Sequence, residues 1–254
     1  MSNFDPNYAR ATRDVGAGRA AVIDAGLRAY MIRVYNYMAM GVALTGVVAW
    51  FTFQAAVTTN PAGAIVGLTP FGHAIFGGFM PILLIFATLG LVMFISFRIN
   101  RLEPSTALTL FLVYSALVGL MLSSVFLAYT LTSVTRVFFI SAASFGALSM
   151  YGYTTQRDLS PIGSFLIMGI FGLIIAMLVN FFLKSAQLDF VISTIGVLIF
   201  AGMTAWDTQR IKEMYSVTDD GTVTGRKAIM GALRLYLDFI NLFLFLLRLL
   251  GNRR

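Results

Sequence analysis

Two aspartates stand where an apolar environment should reject them. Asp238 lies in Tyr236-Leu237-Asp238-Phe239-Ile240-Asn241, with apolar residues running on towards Arg248, and Asp207 lies in Trp206-Asp207-Thr208-Gln209-Arg210. An ionisable group within an apolar helix is costly and faces a cavity or a partner. If the helix bearing Asp207 ends near Met214 and the next begins near Met230, the two lie seven and eight residues in. At ~1.5 Å per residue, those positions are ~10 and ~12 Å deep. Matched depth on adjacent antiparallel helices lets the carboxyls meet. Two carboxyls in contact at low dielectric do not both ionise cheaply, and they share a proton. Such a pair is a proton-dependent latch, closed when bonded, repelling when both groups are charged, and attractive to a cation when open. Its oxygens suit calcium. A structural reading stands beside this one. Arg234 precedes Asp238 by one turn, at i−4, and would neutralise it within the helix; Arg210 or Lys212 would pair with Asp207 at the interface.

The elements that position these residues read as membrane spans. Of 254 residues, 58% are hydrophobic and 11% charged, and the mean hydropathy is +0.84. Soluble domains carry about 25% charged residues, so an aqueous globule of this composition would expose too apolar a surface. A spanning helix needs ~20 apolar residues. Seven stretches answer to that: Val34–Phe53, Ala74–Phe97, Thr106–Tyr129, Val137–Tyr153, Ile162–Leu183, a sixth from Phe190 through Trp206, and Ile229–Leu250. These predict an all-α membrane protein, a seven-transmembrane-helix bundle (residues 31–254) preceded by a polar tail (residues 1–30). The runs are too long, and lack the alternation, for β-barrel strands, and no segment reads as a strand.

Alternate connections are basic. Arg10, Arg13, Arg19, Arg28 and Arg33 precede the first span, Arg98 and Arg101 follow the second, Arg157 follows the fourth, and Arg210, Lys212, Arg226 and Lys227 follow the sixth. This predicts a cytoplasmic amino terminus. Arg248, Arg253 and Arg254 then fall outside, unless the seventh segment re-enters; crossing is the preferred expectation. The net charge of +7 serves topology and forms no nucleic-acid patch. There is no cysteine, and the polar start is not a cleavable signal peptide. His73, the single histidine, belongs to a predicted outside loop, and no nucleophile–base pair indicates an enzyme. No cofactor is expected. Asn36, Asn180 and Asn241 read as interhelical glue, and Ala143/Ala147 and Ala201/Ala205 as small-residue contacts.

Three motifs then occur in order. Phe145-Gly146 leads to Tyr151-Gly152-Tyr153-Thr154-Thr155 and Asp158-Leu159-Ser160. Next comes Ala205-Trp206-Asp207-Thr208-Gln209-Arg210-Ile211, then Leu235-Tyr236-Leu237-Asp238-Phe239-Ile240-Asn241-Leu242-Phe243 with Leu246-Leu247-Arg248. Together they resemble the Bax inhibitor family, the transmembrane Bax inhibitor motif proteins, and the long polar tail resembles its bacterial branch, which implies an inner-membrane protein. The resemblance implies a bundle with the last helix surrounded by the other six, and a pH-sensitive passive calcium leak. It implies that Asp207 and Asp238 form the gating latch, with calcium and protons as partners besides the lipid bilayer. It further implies an arginine at the end of helix two that pairs with the first aspartate; Arg98 matches that place, with Arg101 the alternative. The family's prokaryotic calcium-leak member carries a glutamate in helix two, and none lies between Ala74 and Phe97 here. Arg234 is a second departure, a cation that would lower calcium affinity and tie the latch shut. Some bacterial relatives restrain a membrane-embedded ATP-dependent protease, which implies an alternative regulatory role with the tail to about Leu27 as the handle.

Overall fold

The computed structural model describes residues 6–61 and 64–254, with side-chain surroundings from Asp24 onward. Helix α1 runs from Pro6 to Ala56, 51 residues or ~76 Å at ~1.5 Å per residue, far beyond a bilayer's hydrocarbon thickness. A hairpin of β1 (Val57–Thr59) and β2 (Ile65–Leu68) follows, with Val57 opposite Leu68 and Thr58 opposite Gly67. The expectation of no strands is thereby corrected, in an extramembrane connection only.

Helix α2 (Pro70–Phe76) is capped by Thr69, whose hydroxyl accepts from Gly72 N at 3.0 Å. The expected second span, Ala74–Phe97, is divided here, because the chain turns through Gly78 at φ 58°, a conformation glycine adopts freely. Then come α3 (Met80–Arg98), a 3-10 turn (Ile99–Arg101), α4 (Pro104–Leu122) and α5 (Val125–Ala128). The expected third span thus breaks at Ser123 and Ser124, whose hydroxyls bond back to Leu120 O and Met121 O. Such local bonds compete with helix continuation. Helices α6 (Leu131–Thr154), α7 (Ser160–Leu183), α8 (Ala186–Glu213) and α9 (Gly221–Leu250) complete the chain. Thr130, Ser185 and Asp220 cap α6, α8 and α9 through side-chain oxygens.

Among the described residues, seven helical segments are long and apolar enough to cross a membrane. Helix α9 is central: 67% of its most apolar window is buried, against 17% in each of α3 and α7. Its principal neighbours are α1, α4, α6 and α8, while α3 packs on α4 and α7 on α8. The ring is therefore four helices closed by two outer ones, less complete than six around one.

Lipid does not drive apolar helices together, so close packing must hold the bundle. Edge-to-face aromatic pairs surround α9, with Tyr236 against Phe111 and Tyr114 and Phe239 against Phe138 and Phe145. Gly152 of α6 lies directly on the Ala205 carbonyl of α8. Ala143 and Ala147 are exposed, so of the expected small residues it is Ala205 that takes part in the close approach, against Gly152. Phe165, Met168, Phe171, Ile175, Leu178 and Phe182 cover the outer face of α7. Asn241 donates to Leu237 O and Asn180 accepts from Ser185 N. These two asparagines bond locally, and Asn36 is exposed.

The seventh segment crosses. Its end is held at the corner between α5 and α6, where Thr130 N donates to Asn252 O at 3.2 Å, Asn252 N to Ser133 Oγ at 2.9 Å and Arg254 N to Ala128 O at 3.0 Å. That corner is at the opposite end of the bundle from the α8–α9 connection, which excludes re-entry.

Candidate functional site

Helix α8 is buried at seven consecutive positions from Met203 to Gln209. A membrane helix ordinarily keeps a lipid-facing side; this stretch has none, because α6, α7 and α9 enclose it. Its polar groups must find protein partners. Thr208 Oγ1 donates to Thr204 O at 2.7 Å and lies 2.9 Å from Ser149 Oγ, which meets Tyr35 Oη at 2.6 Å. Gln209 clamps the α6–α7 connection: Leu159 N donates to its Oε1 and its Nε2 donates to Arg157 O, each at 2.8 Å.

Asp207 and Asp238 are 5% and 4% exposed, and their carboxyls lie within hydrogen-bonding reach of each other. The helix bounds assumed for that meeting differ from those found. Helix α9 begins at Gly221, nine residues ahead of Met230, so Asp238 is deeper along its helix than the depth argument placed it. Register between α8 and α9 is kept by close contact of Gly231 with Ile211.

Arg234 reaches across to α8. Its Nη1 lies 3.6 Å from Asp207 Oδ1, so its ion pair is with Asp207 and the intrahelical pair with Asp238 is replaced. Asp238 Oδ2 is buried without a partner. The rim pairs expected for Asp207 are also replaced, as the Arg210 guanidinium stacks over the Trp206 ring and Lys212 donates to Tyr153 O at 2.9 Å. Arg98, the last residue of α3, and Arg101, at the end of the 3-10 turn, are both exposed. Among the described residues, no ion pair joins either of them to Asp207.

One proton shared between the two carboxyls would leave Asp207, Asp238 and Arg234 together without net charge, while the Arg210 guanidinium also acts on Asp207 from the same helix. Removing that proton sets two buried carboxylates against the Arg234 guanidinium, and like charges at low dielectric repel strongly. The pair does not fit a resident calcium ion, which takes six to eight oxygens. Here a guanidinium occupies one side, and among the described residues no third carboxylate, histidine or cysteine joins the pair.

Sequence reasoning passed over the hydroxyls Tyr35, Thr45, Ser149 and Thr208 and the Gln209 clamp. Thr45 Oγ1 lies 2.7 Å from Tyr236 Oη, which ties α1 to α9 two residues before Asp238. The signal for all of them was available as polar side chains within apolar runs.

Fold and site define a multi-pass helical membrane protein with a buried carboxyl pair between its last two spans. The chain belongs to the Bax inhibitor-like family: the family described as "Inhibitor of apoptosis-promoting Bax1" matches residues 27–254. It is 46% identical over 232 residues to the inner membrane protein YbhL of Escherichia coli K12, covering 91% of this chain and 94% of that one. An uncharacterized protein of Rickettsia prowazekii is 48% identical over 231 residues, covering 91% and 92%. Another, from Caulobacter vibrioides, is 40% identical over 261 residues and covers both chains fully.

Proposed function

We propose that this protein is a passive, proton-sensitive cation leak of the bacterial inner membrane, with calcium the transported ion and the amino terminus cytoplasmic. The observation that supports this reading is the closeness of two buried carboxyls, one with an unpartnered oxygen, beside the Arg234 guanidinium. With one proton the trio is neutral and α8 and α9 stay latched. Loss of the proton leaves a net negative charge, which separates the helices and favours a cation between them. Towards the opposite end, an apolar cavity of about 350 Å³ lies between α1, α6 and α9, bordered by Thr45, Phe138, Phe239 and Phe243. Wetting of this cavity completes the path, as in channels gated by hydrophobic constrictions.

The test is calcium flux in liposomes over a pH series, comparing the parent with Asp207→Asn and Asp238→Asn. Flux with an altered pH response in at least one variant is expected. Unchanged flux and pH response in both would overturn the mechanism. The length of α1 supports a second reading, in which its amino-terminal arm engages a membrane-embedded ATP-dependent protease. Loss of protease capture on deleting residues 1–27, with no flux in liposomes, would favour that reading.

A further inference from the structure

The arginines of the last turn of α9 and of the residues after it stand at the opposite end from the basic α8–α9 connection, against the alternation of loop charge. Among the described residues only Arg253 of the three pairs with a carboxylate, and Arg248 is the one that lies within the helix. Arg248 is exposed, its Nη1 lies 3.9 Å from the Met177 sulfur, and its guanidinium sits 5.7 Å from the Phe245 ring centre. Among the described residues no carboxylate pairs with it. A cation at membrane depth without a protein counter-ion draws one from its surroundings.

Those surroundings form a built site. A cleft of about 440 Å³ opens between the end of α7, the start of α8 and the end of α9, lined by Lys184, Asp189, Ser193, Arg248 and Arg253. Three cations face one carboxylate, and that carboxylate is already taken by Arg253 at 3.4 Å. The amino terminus of the 28-residue helix α8, at Ser185 and Ala186, opens into the same cleft; the Ser185 hydroxyl accepts from Leu188 N, and the other first-turn amides favour an anion. Ser193, one turn beyond Asp189, is 1% exposed and its hydroxyl has no partner. A buried hydroxyl in that condition is destabilising unless a ligand or water completes it. Lys184 holds a left-handed conformation, φ 52°, where glycine or asparagine is cheaper and an ammonium stands instead. Arg248 also borders a mainly apolar cavity of about 260 Å³ walled by Leu173, Met177, Phe200 and Leu244, with Asn241 also on its wall.

We infer that this cleft and cavity bind one anionic phospholipid in the leaflet opposite the α8–α9 connection. The phosphate lies among Lys184, Arg248 and the first-turn amides of α8, Ser193 donates to a headgroup oxygen, and an acyl chain fills the cavity. The apolar space adjoining the guanidinium selects a lipid over a free phosphate. The site is separate from the carboxyl pair and does not depend on the protein conducting ions.

The test uses the full chain in nanodiscs containing phosphatidylglycerol and phosphatidylcholine, with lipids retained after detergent extraction counted by native mass spectrometry. Retention of one phosphatidylglycerol is expected in the parent and in Arg136→Gln, an exposed cation outside the cleft. Retention should fall about tenfold in Arg248→Gln and in Lys184→Gln, as for the loss of a charge-assisted contact. It should fall severalfold in Ser193→Ala, whose fold loses nothing by the change. Retention equal to the parent in both cation variants overturns the proposal, as does an equal loss in Arg136→Gln, which would mark diffuse electrostatics. Displacement by inorganic phosphate alone also overturns it, because the site would then hold a free anion. Lys184 is exposed at a helix end, so its variant remains informative if Arg248→Gln fails to fold.

Discussion

Arg234 and Asp238 share one helix a turn apart, yet the guanidinium lies 3.6 Å from Asp207 on the neighbouring helix and leaves Asp238 Oδ2 without a partner. The cation therefore acts as a cross-brace between α8 and α9. Removing it as Arg234→Gln withdraws ~1–2 kcal/mol from the latched state, for a partly exposed pair of this separation. A calcium flux about tenfold higher at neutral pH is expected in liposomes. An unchanged rate would show that the brace does not hold the latch.

The two aspartates should not behave alike when neutralised. Asp238→Asn keeps a donor towards Asp207 and cannot ionise, so it should give low flux with no pH dependence. Asp207→Asn strands the Arg234 guanidinium beside a neutral amide, and a half-buried unpaired cation costs several kcal/mol. That variant should melt at lower temperature than Asp238→Asn in a thermal-shift series, and equal melting temperatures would contradict the assigned partners.

Gly152 sits where any side chain would press into the Ala205 carbonyl, two residues before Asp207. Gly152→Ala must push α6 from α8 or bend one of them, at a cost of ~1–3 kcal/mol typical of overpacking. A lowered melting temperature is expected. Gly146 has open space around it, so Gly146→Ala on the same helix should be nearly neutral and serves as the control.

Gln209→Leu removes both bonds that hold the α6–α7 connection and leaves Leu159 N and Arg157 O unpaired, worth ~1–3 kcal/mol. The loop contains Arg157, an exposed trypsin site. Faster cleavage there, with no change at other arginines, is the expected result in limited proteolysis.

Asp158 accepts from Ser160 N at 2.8 Å at the start of α7, and that bond holds its carboxyl below the ordinary carboxylate range. A depressed value means that the contribution to stability is present above the ordinary range and disappears as pH falls through the depressed one. Asp158→Ala should therefore melt lower than the parent at neutral pH, with the gap closing in strong acid. A gap that persists in acid would assign the effect to something other than the charge.

The spans were legible because hydropathy summed over twenty residues overwhelms local detail, and the same summing hid what lies within them. Ser123 and Ser124 vanish into an apolar average, although their hydroxyls end α4. The hairpin at Val57–Leu68 offers strands of three and four residues, too short for an alternating pattern to register. Asp207 and Asp238 stood out as carboxylates inside apolar runs, but the depth argument that paired them assumed a shorter α9, and Asp238 lies near the middle of that helix. The partner of Arg234 was not legible. Spacing along one helix names neighbours on that helix, whereas a partner across the interface depends on rotation and register, which here follow from glycines at close contacts.

Helix α9 leaves the ribosome after the helices that will enclose it, because translation delivers α1, α4, α6 and α8 first. Until it arrives, the stretch from Met203 to Gln209 has no partner on its α9 side, and Asp207 waits without its arginine. Factors that shelter polar spans during insertion would act in that interval.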